Sequence, residues 1–432
     1  MTKTDSILVV GAGFVGLATA AFLANKGHSV TVAEKNRFIV DSLRKGLLHF
    51  REPELAKKLK AAFRARHLGI LSPSKELFQE ATIIIVAIDS ADRNTWKMKL
   101  AAFERMAAWI GGVPRGQPAV VVLKSTNILG FARLFREILD NTPYGSQVQL
   151  VVNPEFLREG FAYADTAHPW RVVVGADDGK ARRRMVRFYR SIYPDAVSII
   201  ATDCESAELI KLGANLYLSH RLAFIHEIAD YARMHKLDLT AVKQAIGLDP
   251  RIGRQYFEPG LGFGGSCLPK DCNLINSRES ETGFTFHTAR TALKINDRVL
   301  DQVVGALHAR LGRLKGKKVA ILGAAFKPET DDTRGSQAVR LALKLRRRSA
   351  TVAVHEPYLK KADRIVEGNL PLVPEIDEAL KNAHAVIIGA AHRRFRRLRP
   401  NAVAALVTNR LVCDRFGLLN RATWEKHGFE FV

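Results

Sequence analysis

Short, continuously apolar stretches recur along the first half of the chain. Residues 6–10 read as a strand. So do "SVTVAE" (29–34), "ATIIIVAI" (81–88), "AVVVLKS" (119–125), "QLVVNPE" (149–155) and "RVVVGA" (171–176). Helical patterns separate most of them, beginning with 14–26. Strands apolar on both faces and alternating with helices predict a parallel sheet covered on both sides. From about Cys204 to Lys236 the pattern changes. There is no proline and one glycine, and Leu209, Leu212, Leu216, Leu222, Ile225 and Ile228 recur at helical spacing. This predicts one long helix. More helix is expected over 240–246 and around 285–311, so the middle of the chain reads as all-helical. Strands return at "KKVAILGAAF" (317–326), "ATVAVHEP" (350–357), "AVIIGA" (385–390) and "RLVCD" (410–414). The fold class is α/β, with two α/β domains (1–203 and 313–432) joined by a helical one (204–312).

The first strand runs into Gly11-x-Gly13-x-x-Gly16, which opens the first helix. In such a turn the first glycine permits a sharp reversal. The second lets backbone approach a pyrophosphate, and the third lets helix and strand pack closely. The pyrophosphate then meets the positive end of the helix dipole. Glu34 ends the second strand, 18 residues after Gly16. A carboxylate there accepts from ribose hydroxyls and repels a 2′-phosphate, which favours NAD over NADP. Lys35 follows at once and softens that preference.

Composition adds limits. At 432 residues the chain exceeds one typical core. Hydrophobic and charged fractions of 47% and 25% are those of ordinary soluble protein. No apolar run approaches the length of a membrane span, and the N-terminal segment lacks the features of a signal peptide, so a cytoplasmic protein is expected. Four cysteines, Cys204, Cys267, Cys272 and Cys413, form neither a disulfide framework nor a zinc pattern, and no metal is expected. The net charge of +23 draws attention to "ARRRMVR" (181–187), "KLRRRS" (344–349) and "RRFRRLR" (393–399). None carries a nucleic-acid fold signature or a stacking platform. A solvated basic surface that steers anionic substrates is the favoured reading.

Four stretches carry candidate chemistry. "LKSTNILG" puts Ser125 and Thr126 at a strand's C-terminal end, where open α/β sheets bind ligands. "NPEFLREG" spaces Glu155 and Glu159 four apart, on one face if that turn is helical. "KLGAN" places Lys211 and Asn215 one turn apart on the long helix. "GFGGSCLPKDC" (262–272) sets Cys267 and Asp271 four apart after a glycine-rich run. A thiolate at Cys267 can attack a carbonyl. Lys211 and Asn215 can stabilise an oxyanion or an ordered water. Asp271, Glu155 or Glu159 can move protons. Each has a plainer alternative as a buried thiol, a surface helix pair or solvated carboxylates. A glycine-rich loop, however, is a poor place to bury a structural thiol.

These motifs, with "HPWRVVVG", "DPRIGRQYFEPGLGFGGSCLPKD" and "GAAFKPETDDTRGS", run in the order found in nucleotide-sugar dehydrogenases of the UDP-glucose/GDP-mannose dehydrogenase family, which the chain resembles over essentially its full length. The resemblance implies two Rossmann-like domains joined by a central all-helical domain that dimerises. It also implies a four-electron oxidation of a sugar C6 alcohol to a carboxylate with two NAD, through a cysteine thiohemiacetal and thioester. By position Cys267 is the nucleophile. Lys211, Asn215 and Asp271 match oxyanion, water and proton-transfer positions. Thr126, Glu155 and Glu159 match further active-site positions, with Glu155 in thioester hydrolysis. Gly11, Gly13, Phe14, Val15, Gly16, Glu34, Lys35, Ser125, Thr126, Glu159 and Arg334 are expected at the cofactor. Phe156, Leu157, Lys211, Asn215, Arg251, Tyr256, Gly264, Lys327 and Arg415 are expected at the substrate. Arg251 would reach a neighbouring subunit's substrate, and residues 256–265 would wrap the diphosphate with backbone N–H groups.

Three places depart from the family pattern. "AIDSADRN" puts Asp89 and Ser90 where a Thr-Pro pair is usual, an acidic change expected to weaken NAD binding. "AAHRRFRRL" stands where an acidic "TEW" is frequent, and "CDRFG" sets Arg415 one place early. UDP-glucose is the favoured substrate, with GDP-mannose or a UDP-N-acetylhexosamine as alternatives. A two-electron hydroxyacid dehydrogenase and a binding protein that has lost turnover are the rival classes. A homodimer or larger homo-oligomer is expected, with no membrane or specific nucleic-acid partner.

Overall fold

The computed structural model describes residues 5–90, 92, 98–277, 279–359, 364–365 and 367–432. The chain divides into two compact units, Met1–Ala214 and Asn215–Val432.

The first unit is built on an eight-stranded sheet: β1 (Ser6–Val10), β2 (Ser29–Ala33), β3 (Leu68–Leu71), β4 (Ile83–Val86), β5 (Ala119–Leu123), β6 (Val148–Val152), β7 (Arg171–Gly175) and β8 (Ser198–Thr202). Their order is β3-β2-β1-β4-β5-β6-β7-β8. The chain leaves β1 toward β2 on one side and returns through β4 on the other. The C-terminal ends of β1 and β4 therefore form a switch point, where such sheets take ligands. β4 and β5 are buried along their whole length, as their unbroken apolar sequence predicts. Two apolar layers cover the two faces, one containing Leu17 and Leu23, the other Phe103 and Phe131.

The expectation of a parallel sheet holds for every pair but one: β6 meets β7 antiparallel, at Val152 and Gly175. In this sheet two strands, β3 and β8, have no counterpart in the sequence pattern. β3 contains Gly69, and β8 is an outer strand with three of its five residues exposed, so neither shows a continuous apolar run.

The helical middle follows the predicted spacing. A helix of 31 residues, Cys204–Met234, is succeeded by Leu239–Leu248, Leu268–Asn276, Glu279–Thr282 and His287–Leu311. In the second unit β9 (Lys318–Leu322), β10 (Thr351–His355), β13 (Ala385–Ile388), β14 (Leu411–Cys413) and β15 (Glu430–Phe431) form a parallel sheet in the order β10-β9-β13-β14-β15. β11 (Arg364–Ile365) and β12 (Leu370–Pro371) make a separate antiparallel pair. The structure is thus α/β with two Rossmann-like sheets and a helical segment between them in sequence. Among the described residues no helix is long and apolar enough to cross a membrane.

Candidate active site

The three glycines after β1 are distinguished by what a side chain at each would meet. Gly11 has φ +104, and a Cβ there would lie 2.5 Å from the Ala87 carbonyl oxygen at the end of β4. A Cβ on Gly16 would land on the Gly11 carbonyl. Both are required by the chain's own packing. A Cβ on Gly13 would meet nothing within 4 Å. Gly13 is exposed, caps the helix Phe14–Asn25 and offers it no side chain. Open space at the second glycine, in front of a helix N-terminus carrying Phe14 and Val15, is what a dinucleotide pyrophosphate needs.

Glu34 follows β2. Its carboxylate accepts from Ala12 N at 3.0 Å and from Asn36 N at 2.8 Å, so it is held against the glycine turn. Lys35 is exposed. On the far side of the switch point, Asp89 pairs with Lys99 at 2.8 Å and Ser90 is buried. The acidic departure at this position is therefore compensated within the chain. Ser125 and Thr126 follow β5 and are partly buried. Ser125 Oγ donates to the Ile88 carbonyl at 2.6 Å and ties this loop to the end of β4.

The segment after β6 is not helical. Residues 153–158 run without regular structure, and the next helix starts only at Ala162, beyond Gly160 with φ +83. Glu155 and Glu159 therefore do not share a helix face. Glu155 instead turns to Lys211 on the long helix, Oε1 to Nζ 3.0 Å, with side chains 9% and 5% exposed. Burial pushes the Glu155 carboxyl up. The Lys211 ammonium, the Leu157 N–H and the Lys124 ammonium together outweigh it and hold the group below its ordinary value. Phe156 lies beneath the Arg171 guanidinium, 3.8 Å from its ring centroid. Glu159 sits partly buried in the turn that follows.

Behind this pair lie residues to which the sequence pattern assigns no role. Lys124 Nζ donates to Asn153 Oδ1 at 2.7 Å, Tyr189 OH donates to the same oxygen at 2.6 Å, and Asn153 Nδ2 donates to the Val173 carbonyl. Lys124 and Asn153 lie inside motifs already noted, as the second residue of "LKSTNILG" and the first of "NPEFLREG". Glu208, one turn before Lys211, accepts from Gly130 N at 2.7 Å and Ala132 N at 2.8 Å and so caps the helix Phe131–Asp140.

In the second unit, Cys267 is exposed and precedes the helix Leu268–Asn276, whose first turn holds Asp271. Asp271 is fully buried. Its Oδ2 accepts from Asn215 Nδ2 at 2.6 Å and its Oδ1 lies 3.1 Å from Lys270 Nζ. Lys270, too, has no candidate role in the sequence pattern. Cys272 is buried, and burial pushes its thiol up to about 11. The two neighbouring cysteines thus have opposite environments.

The glycine-rich run ahead of Cys267 is gripped by the chain. Phe263 N donates to Asn296 Oδ1 at 2.6 Å, and the Phe263 carbonyl accepts from Asn296 Nδ2 and Gln337 Nε2. A Cβ on buried Gly264 would strike the Gly335 carbonyl, and one on Gly265 would lie 2.7 Å from the Phe326 ring. Close backbone approach is one reason these positions are glycine. Tyr256, partly buried, has φ +55. Lys327 is partly buried in the loop after β9. Arg334 Nε bonds Asp332 at 2.6 and 2.8 Å. Arg251 is exposed and pairs with its near neighbour Asp249. Arg415 is held by Asp230 at 3.0 Å and Gln302 at 2.7 Å, on the two longest helices.

A sheet of this order, with an open glycine turn at its switch point and an acidic residue closing the second strand, defines a dinucleotide-binding protein. Family models give the finer assignment. Residues 5–193 match the NAD binding domain of the UDP-glucose/GDP-mannose dehydrogenase family, 205–298 its central domain and 320–421 its UDP binding domain. The chain belongs to this family, and its cofactor is NAD. It is 31% identical to a UDP-glucose 6-dehydrogenase of Rhizobium meliloti (strain 1021), over 99% of this chain and 98% of that one. It is also 31% identical to the UDP-glucose 6-dehydrogenase YwqF of Bacillus subtilis (strain 168), over 89% and 87%. A solved UDP-glucose dehydrogenase from the archaeon Pyrobaculum islandicum matches with a TM-score of 0.90 at 30% identity, covering 98% of this chain and 96% of that one. A UDP-D-ManNAc dehydrogenase from Pyrococcus horikoshii shares the fold, with a TM-score of 0.85 at 23% identity over 99% and 98%. The chain is therefore a nucleotide-sugar dehydrogenase.

Proposed function

We propose that this dehydrogenase oxidises UDP-glucose to UDP-glucuronate, with two NAD consumed per sugar and a covalent intermediate on Cys267. The observation that carries the reading is the accessible Cys267 thiol one turn before a fully buried Asp271 that is held by Asn215 and Lys270. The two relatives named as UDP-glucose 6-dehydrogenases support the choice of sugar.

NAD held at the glycine turn would supply the hydride acceptor for both oxidations, and in the first the sugar C6 alcohol loses a hydride and a proton to become an aldehyde. The Cys267 thiolate adds to that carbonyl, and loss of a second hydride from the adduct leaves a thioester. Water cleaves the thioester, releasing the carboxylate and restoring the thiol. Lys211 supplies positive charge to the developing oxyanion. Asn215 fixes Asp271 and an ordered water, and Asp271 moves protons. Glu155, kept ionised by its lysine neighbours, serves the hydrolytic step as proton acceptor. Thr126 and Glu159 complete the set. Gly11, Gly13, Gly16, Phe14, Val15, Glu34, Ser125 and Arg334 hold NAD. Phe156, Leu157, Tyr256, Gly264 and Lys327 hold the nucleotide sugar, with Arg251 reaching a neighbouring copy. Arg415, which bonds Asp230 and Gln302, is a further candidate at the substrate. Tyr217, Phe224 and Tyr231, exposed at 59%, 42% and 58%, recur every seven residues on one face of the long helix. This stripe supports association of two copies.

The test is stoichiometry. Purified protein is supplied with NAD and, separately, UDP-glucose, GDP-mannose and UDP-N-acetylhexosamines. About two NADH per UDP-glucose is the expected result. About one would mean a simple alcohol dehydrogenase, and turnover confined to another sugar would reassign the substrate. Cys267→Ser is expected to stall before uronate release.

A further inference from the structure

Lys124 closes β5 and points its amine toward the end of β6, where Asn153 Oδ1 accepts from it at 2.7 Å. That oxygen also takes the Tyr189 hydroxyl, so both of its lone pairs are used and Asn153 is fixed. Lys124 and Glu155 line one cavity of about 270 Å³. Other charged groups on that wall are engaged with neighbours in the same lining. Arg158 pairs with Asp165 at 2.7 Å, and Arg171 covers Phe156. Burial raises the Tyr189 and Tyr193 phenols, so both are neutral across the working range. His168 lines the outer part. The charges that act on the Lys124 ammonium are Glu155 and, from the long helix, Lys211.

We propose that Lys124 is a positioning residue for the catalytic carboxylate: anchored on Asn153 in the cavity that Glu155 also lines, it supplies a second ammonium beside the Glu155–Lys211 pair. Desolvation brings Lys124 down to about 8, with Glu155 opposing the fall and Lys211 adding to it. Lys124 is therefore protonated at neutral pH, and its charge is lost within reach of ordinary assay conditions. Glu155 then faces one cation instead of two. The catalytic part of this inference rests on the role proposed for Glu155; the electrostatic coupling does not.

The coupling is read by trace acetylation of the full-length protein with acetic anhydride across a pH series, with Lys124 followed by peptide mass spectrometry. Its reactivity is expected to rise with a midpoint near 8. Glu155→Gln removes the anion and lowers that midpoint by about one unit, and Lys211→Met raises it by a similar amount. A midpoint near the ordinary lysine value of about 10.4 overturns the proposal. So does a midpoint unmoved in both variants, or absence of labelling at any pH. Turnover gives the second reading. Lys124→Arg keeps the charge and is expected to keep kcat within about threefold, whereas Lys124→Met loses about tenfold in kcat with KM little changed. Equal losses in both variants would reduce Lys124 to a packing role. Failure of the wild-type chain to oxidise UDP-glucose would count against the proposed function and leave the acetylation result standing.

Discussion

Glu155 Oε1 lies 3.0 Å from Lys211 Nζ, and the residues come from a loop after β6 and from the long helix, far apart in sequence. Both side chains are buried, so each charge depends on the other. Lys211→Met leaves the carboxylate desolvated, with Lys124 as its remaining cation. A stability loss of about 3 kcal/mol is expected, toward the lower end for a broken buried pair. Adding Glu155→Gln removes the stranded charge and restores part of that loss. Urea unfolding of the two single variants and the double variant measures the coupling. Additive losses would mean that the pair is not an energetic unit.

Thiol reactivity separates Cys267 from the other cysteines. Cys204, Cys272 and Cys413 are buried, and burial pushes them up to about 12, 11 and 11. Cys267 is the one exposed thiol. Native protein at mildly alkaline pH is expected to take up a single equivalent of iodoacetamide, at Cys267, and denatured protein four. Cys267→Ser is expected to abolish labelling of the native protein. Rapid modification of a second cysteine without unfolding would show that the burial is not maintained in solution.

The residues that sequence made legible are those whose meaning is local. Gly11, Gly13, Gly16 and Glu34 lie within one strand–helix–strand unit, and Lys211 and Asn215 share a helix face by spacing alone. Their partners were not legible. Asn215 meets Asp271 across 56 positions, and Lys211 meets Glu155 across a similar gap, because the fold decides those pairs. The condition that would put Glu155 and Glu159 on one helix face is not met, for a local reason. The residue before Pro154 is biased away from helix, and Gly160 takes a left-handed conformation. Lys124 was hidden because the charge at the end of an apolar strand reads as a solvated terminus. β8 was hidden because an exposed edge strand has no apolar run to display.

Glu208 links stability to pH. It is 5% exposed, and burial raises it to about 7 against the opposing pull of the Gly130 and Ala132 N–H groups. The native state therefore binds a proton that the unfolded chain, titrating near 4.5, has already released. The favourable contribution is complete below about pH 4.5 and is lost as pH rises through about 7. Over that window it amounts to about 3 kcal/mol. Glu208→Gln keeps an acceptor for the helix Phe131–Asp140 and carries no titrating proton. The difference in urea midpoint between wild type and variant is expected to shift in favour of the variant between pH 5 and pH 7.5 (both values near the ends of the window, about 4.5 to 7). A difference independent of pH would show that Glu208 is ionised throughout.

The same substitution at two glycines should separate folding from cofactor binding. In Gly16→Ala the new methyl meets the Gly11 carbonyl, which is backbone and cannot swing aside. A loss of about 3 kcal/mol or more in stability is expected, in the class of overpacked core positions. In Gly13→Ala the methyl enters space with no atom within 4 Å, at a φ of −79° that alanine adopts freely. Stability should change by no more than about 1 kcal/mol, the range of an exposed cap position. The methyl does, however, stand where the pyrophosphate must approach the backbone. NADH affinity, read by fluorescence titration, is expected to fall at least about tenfold, the equivalent of 1.4 kcal/mol. If Gly13→Ala binds NADH as well as wild type does, the diphosphate lies elsewhere. If it unfolds like Gly16→Ala, the open space before the helix serves the fold rather than the cofactor.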